Sequence, residues 1–278
     1  MAQKYKALLA ADMDFTLLSP GQDVPEGNKE AIRALKEAGV AFTIATGRSS
    51  FLVGKFAEDL GIEVPVMTSN GGSLFDAKAR KQFASRDFDD TKIRSLLRLL
   101  MDREADATLY SDEGIFFCPK SSRKYFVEGY NEGVEPAKQS PIIDIDRSFP
   151  EQEKIPGFNK ILLISPDKEV EDIFLSDPEL VLISSGPNLY DVMCKGVSKG
   201  NALIELADYL GIPADNTFAI GDSDNDLSMI ESAKYGIAMG NATEEIKRAS
   251  SYITANYDSL GFAKAVYEFV IPLVEKMD

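Results

Sequence analysis

The sequence predicts an α/β fold: a doubly wound parallel sheet in two sequence pieces, parted by an inserted α+β segment. Short apolar runs alternate with stretches of helical periodicity at the start of the chain, and the same alternation returns at its end. Between them the pattern changes to short strands, charged helices and a stretch punctuated by Pro and Asp. The expected division is residues 1–83 and 187–278 for the sheet domain and 84–186 for the insert.

The first apolar run, Ala7–Ala11, is a strand that ends at Asp12. Glu30–Ala38 is an amphipathic helix with Ile32 and Leu35 inward, and Gly39 suits the position that closes it. Val40–Ala45 is a second strand, running out at Thr46-Gly47-Arg48. Phe51–Leu60 is helical, closed by Gly61, and Val64–Met67 leads into Ser69-Asn70-Gly71-Gly72. Strands and helices alternating at these lengths imply parallel pairing with right-handed crossovers.

The insert reads as a helix at Asp90–Arg103, strands at Thr108–Tyr110 and Ile115–Cys118, and a helix near Arg123–Glu132. Further strands are expected at Lys160–Ile164 and Leu180–Ser184. The parallel grammar then resumes with a helix at Ala202–Leu210 before Gly211, a strand at Thr217–Ile220, and a helix at Leu227–Ala233. Tyr235–Ala238 is a strand, and Glu244–Ala249 a helix behind an Asn-x-x-Glu capping pattern from Asn241. Tyr252–Thr254 and a helix from about Leu260 follow.

Composition narrows the chemistry. The chain has 278 residues, 44% hydrophobic, and a formal charge of −15. That charge argues against nucleic acid or an anionic membrane as partner, since the overall field repels phosphate backbones. A small anionic substrate needs a metal and local cations to reverse the field inside a pocket. There is no histidine, which removes histidine triads and histidine metal sites together. Cys118 and Cys194 lack the paired spacing of a zinc site and read as reduced thiols, from which a cytoplasmic location is expected. The apolar run before Asp12 is too short for a signal sequence, and the stretch Phe269–Val274 is too short to span a bilayer and is broken by Pro272.

Four features sit at strand ends or a helix start, where ligands bind on open parallel sheets: Asp12/Asp14, Thr46, Lys199 and Asp222/Asp226. The i, i+2 spacing of Asp12 and Asp14 points both carboxylates one way along a strand. One carboxylate can then attack while the other moves a proton, if their surroundings separate their acidities. Thr46 offers a hydroxyl, with Gly47 allowing close approach of the backbone and Arg48 opening the next turn. Lys199 opens a helix capped by Ser198, where a cation works against the helix dipole and so marks an anion. Asp222 and Asp226 read as hard oxygen ligands for Mg²⁺, with Asn225 placed to hold the loop or orient a neighbour. The loop is not an EF-hand, because Ala233 stands where the twelfth position requires Glu. Singly, these are also a solvated acidic turn, a helix cap and an outward lysine; their joint placement carries the signal.

Together these residues resemble the haloacid dehalogenase superfamily of phosphotransferases, in particular its Cof-type branch with a large α/β cap. Asp12-Met13-Asp14-Phe15-Thr16 resembles the first motif, Thr46-Gly47-Arg48 the second, Ser198-Lys199-Gly200 the third, and Gly221–Asp226 the fourth. Ser69-Asn70-Gly71-Gly72 is similar to the segment preceding the cap. The resemblance implies a Rossmann-like core and an inserted cap that selects the substrate. It also implies Mg²⁺-dependent hydrolysis of small phosphate monoesters: sugar phosphates, phosphorylated vitamins such as pyridoxal phosphate, or nucleotides. Asp12 would be the nucleophile and Asp14 the acid/base; Thr46 and Lys199 would bind the transferring oxygens. Asp12, Asp222 and the backbone carbonyl of Asp14 would hold the metal, with Asp226 in support, and Gly47, Arg48, Asn70 and Asn225 would contact substrate. A phosphomutase acting on a hexose phosphate and a noncatalytic phosphate-binding protein are the alternatives. One departure stands out: Phe15 replaces the glycine usual in the branch, and its ring is expected to pack under the cap.

Overall fold

The computed structural model describes residues 4–19 and 23–277. The first piece runs β1 (Ala7–Ala11), α1 (Glu26–Glu37), β2 (Val40–Ile44), α2 (Ser50–Asp59), β3 (Val66–Thr68), β4 (Ser73–Asp76) and β5 (Lys81–Ser85). The middle follows with α3 (Asp90–Asp102), β6 (Ala107–Tyr110), β7 (Ile115–Phe117), α4 (Lys124–Glu132), β8 (Ile142–Asp144) and β9 (Lys160–Ile164). It closes with α5 (Lys168–Ser176), β10 (Leu180–Gly186) and β11 (Leu189–Cys194). The last piece contributes α6 (Lys199–Leu210), β12 (Thr217–Gly221), α7 (Leu227–Ser232), β13 (Tyr235–Ala238), α8 (Glu244–Ala249), β14 (Tyr252–Ile253) and a helical segment over 261–274.

The two outer pieces build one parallel sheet in the order β14-β13-β12-β1-β2. Every residue of β1 and β2 is buried, as a parallel sheet covered on both faces requires. α1 packs on the 261–274 segment and α6 on α7, forming the covering layers. A bridge from Ala45 to Met67 carries the edge onward to β3, which joins β4 and β5 in a small antiparallel sheet. The doubly wound α/β class expected from the alternation is the fold observed.

The insert forms a six-stranded sheet in the order β10-β11-β9-β6-β7-β8, antiparallel except for β7 with β8. Its apolar face packs under α3 and α5, with Leu97, Phe158, Leu163 and Phe174 buried together. Leu52 of α2 joins a smaller cluster with Tyr110, Phe117 and Leu162, so a helix of the core shares apolar contacts with the inserted sheet.

Several local expectations are corrected. Helix α1 begins at Glu26, four residues early, because Pro25 precedes it and has a preset φ. Thr243, not Asn241, caps α8 through the Ile246 N–H; the Asn241 side chain instead donates to the Phe15 carbonyl and accepts from the Tyr257 N–H. The inserted sheet also extends past Gly186, since Leu189–Cys194 pairs with both β10 and β9. Gly186-Pro187-Asn188 has the composition of a boundary linker but is the turn of this hairpin, with Asn188 left-handed.

Candidate active site

β1 carries Asp12 to the carboxyl edge of the sheet, and the Asp12 N–H still bonds the Ile220 carbonyl of β12 at 2.9 Å. β12 delivers Asp222 beside it, and a short 3₁₀ turn at Asp224–Asp226 folds Asp226 back underneath. That fold needs Gly221: a Cβ there would stand 2.5 Å from the Asp226 carboxylate. Asp226 Oδ2 accepts from the N–H groups of Asp222 and Ser223 at 2.9 and 3.1 Å, so the loop is organised around this carboxylate. Ser198 caps α6 through the Asn201 N–H, as expected, and so places Lys199 in the first turn. The close approach of α6 depends on Gly71, whose φ is +91° and where a Cβ would meet the Ser198 carbonyl at 2.2 Å.

Lys199 is wholly buried and donates to Asp12 Oδ1 and Asp226 Oδ1, each at 2.6 Å. It has not turned outward. Ligand oxygens of Asp12, Asp222 and Asp226 lie within 4.8 Å of one another, with the Thr16 hydroxyl donating to Asp222 at 3.0 Å. One buried cation therefore faces three buried carboxylates. Burial first, and repulsion from Asp226 second, push Asp222 up to about 7 and Asp12 well above the usual carboxylate range. Burial alone would lower Lys199, but Asp12 and Asp226 more than offset it and its acidity falls below that of an ordinary lysine. A hard divalent cation fits this donor set, all oxygen and short of positive charge.

Around this group lies a cavity of about 1220 Å³ between the two sheets, lined by Asp12, Asp14, Thr46, Gly47, Arg48, Asp222 and Asn225 among others. Arg48 forks onto Asp14, Nε to Oδ2 at 3.0 Å and a terminal nitrogen to Oδ1 at 2.6 Å. Thr46 is buried with its hydroxyl accepting from the Arg48 N–H; Ser49, not Thr46, stands at the cap of α2. Lys199 and Asn70 do not line the cavity. Asn70 is buried beneath it, donating to Asp191 at 2.8 Å and accepting from Asn225 at 3.2 Å. It holds these neighbours in place.

Two charged residues were not anticipated from the sequence. Lys160 of β9 and Asp191 of β11 form a buried ion pair at 2.9 Å on the cavity wall. Lys160 also donates to the Gly47 carbonyl at 2.6 Å, while Ser185 and Asn70 donate to Asp191. The pair ties the inserted sheet to the loops of the core. A signal existed, since each is a charge within or opening an apolar strand, where charges are rarely buried unless paired.

Phe15 sits with φ +62°, the left-handed conformation that glycine adopts freely. Its ring is 44% exposed and packs edge-on against Tyr257 with centroids 5.4 Å apart, so it is not buried under the insert as expected. Cys118 is buried, which pushes its thiol up to about 12, whereas Cys194 is only half-buried. Among the described residues, no helix is long and apolar enough to cross a membrane.

Residues 9–266 match the family of haloacid dehalogenase-like hydrolases. The chain belongs to this family. It is similar to the 5-amino-6-(5-phospho-D-ribitylamino)uracil phosphatase YwtE of Bacillus subtilis, 31% identical over 92% of this chain and 95% of that protein. A second phosphatase of the same organism, YwpJ, is 30% identical over 92% of this chain and 97% of its own length. A solved haloacid dehalogenase-like hydrolase from B. subtilis aligns with a TM-score of 0.80 at 28% identity, covering 95% of this chain and 99% of that one. This haloacid dehalogenase-like hydrolase is accordingly an enzyme of the phosphoric monoester hydrolase class.

Proposed function

We propose that the enzyme hydrolyses phosphate monoesters of small metabolites with Mg²⁺, carrying the phosphoryl group on Asp12. The observation behind this reading is the convergence of Asp12, Asp222 and Asp226 at the edge of a large cavity, with Lys199 bonded to Asp12 and Asp226. Asp12 presents its carboxylate to phosphorus, and the bond from phosphorus to the ester oxygen breaks as the new bond forms. Asp14 gives its proton to the departing oxygen, then accepts one from the water that releases phosphate from Asp12. For this, Arg48 must leave Asp14, and the incoming phosphoryl oxygens offer it a matching fork acceptor. Thr46 adds a hydroxyl to the transferring oxygens, and Lys199 fixes Asp12 from beneath.

Mg²⁺, held by Asp12, Asp222 and the Asp14 carbonyl with Asp226 in support, would offset the repulsion between Asp12 and an incoming phosphate dianion. The inserted sheet acts as a cap over the cavity and sets which leaving group enters. A small phosphorylated metabolite is the partner, and the two free cysteines suit a reducing compartment such as the cytoplasm.

The test is phosphate release from a panel of monoesters with and without Mg²⁺, beside Asp12→Asn. Metal-dependent release that disappears in a folded Asp12→Asn protein is expected. Release that persists in the variant rules out Asp12 as nucleophile, and isomerisation of a hexose phosphate without release would make the enzyme a mutase.

A further inference from the structure

A phosphoryl group occupies only a small part of a cavity of about 1220 Å³. Besides the carboxylates, its wall carries the rings of Phe15, Phe56, Tyr110, Phe126 and Tyr130. Two arginines also face it, and they differ. Arg48 is taken by Asp14, whereas Arg123 has no carboxylate partner among the described residues, in a chain whose net charge is −15. The Arg123 guanidinium lies 3.7 Å from the centroid of the Phe126 ring, and its Nε is buried without an acceptor. A guanidinium laid on a ring keeps its plane fixed and directs its N–H edge outward, ready for flat acceptors. A flat ring with an oxygen on its edge matches both features at once, its face against the side-chain rings and its edge on the guanidinium.

Resting on the hydrolase reading above, we propose that Arg123 and Phe126, with Tyr110 and Tyr130, form the leaving-group subsite. It takes phosphate monoesters whose alcohol part carries a flat ring with a carbonyl or anionic oxygen on its edge. The ring lies among the aromatic side chains, and the edge oxygen accepts from Arg123. Selectivity is then set by the start of α4, while the reacting groups come from the parallel sheet.

Matched esters test this. Uridine 5′-monophosphate and ribose 5-phosphate differ by a flat dione ring, and riboflavin 5′-phosphate and ribitol 5-phosphate by a larger one. In at least one pair the ring-bearing ester is expected to have kcat/KM at least about tenfold higher, the size of one good cation–π or stacking contact. Arg123→Gln and Phe126→Leu are expected to reduce that ratio several-fold, chiefly through KM. Both residues are partly exposed, so the variants should melt like the wild type. Ratios near or below one in both pairs, or variants that slow both members equally, overturn the subsite. Equilibrium binding of uridine 5′-monophosphate and ribose 5-phosphate is measured alongside. Tighter binding of the ring-bearing ester without turnover of any ester keeps the subsite and removes the hydrolase reading. Turnover with no ring preference in rate or binding removes the subsite alone.

Discussion

Phe15 shows how a single residue can depart from a motif and leave its geometry in place. The turn after Asp14 needs a left-handed residue, and here a phenylalanine takes that conformation, with its ring against Tyr257. Phe15→Ala loses the ring and keeps the strain, whereas Phe15→Gly loses both. The glycine variant should therefore be the more stable of the two, by about 1 kcal/mol in urea denaturation. Equal stabilities would mean the backbone is not strained there. Thr16 is the other informative residue, because its hydroxyl lowers the pKa of Asp222 against the upward push of burial and Asp226. Without it Asp222 holds its proton to higher pH, and that proton competes with a metal. Thr16→Val is thus expected to shift the acid limb of kcat/KM upward in pH at limiting Mg²⁺; an unmoved limb would detach Asp222 from metal binding.

At the scale of elements, the inserted sheet is held to the core through the buried Lys160–Asp191 pair. Lys160→Met would strand Asp191 without its charge partner, an expected loss of about 3–5 kcal/mol, and Lys160→Met with Asp191→Leu should recover part of it. Calorimetry decides this; a single variant as stable as the wild type would show the pair to be dispensable. This pair also marks where reading the sequence ran out. The strands of the parallel sheet, Asp12 to Asp226 and the capped start of α6 were legible because apolar runs, spacing and cap chemistry are local. β4, β5, β8 and β11 were not anticipated, since short strands are specified by the partners they pair with and less by their own sequence, and neither was the helix α5. Asn70 was assigned to the cavity because its position in the chain was visible. Its burial beneath Gly47, which turns it into a support for Asp191 and Asn225, came from packing between distant segments.

For the molecule as a whole, acidic crowding couples stability to pH and to metal. Asp222 is raised to about 7 and Asp12 is raised as well, so the metal-free folded state holds protons that the unfolded chain releases. For Asp222 this stabilisation is complete below pH 4 and is lost as pH rises through about 7. The metal-free melting temperature is expected to fall across that window as far as this site is concerned. Mg²⁺ binds the folded, deprotonated group, so it should raise the melting temperature more at pH 8 than at pH 5. An equal rise at both would contradict the assignment of these carboxylates as its ligands.

The parallel sheet has a further consequence, for how the chain is made. β1 lies between β2 and β12, with Leu8 opposite Thr217. A ribosome adding about 5–20 residues per second needs roughly 10–40 s to pass from one to the other. For that time Ala7-Leu8-Leu9-Ala10-Ala11 has one open edge, in an apolar strand able to pair with another copy. A fragment ending at Lys195 should consequently self-associate in light scattering, and residues 196–278 supplied in trans should suppress it by restoring β12. The site assembles only when that edge closes, because Asp12 and the loop from Asp222 to Asp226 meet across the same pair of strands.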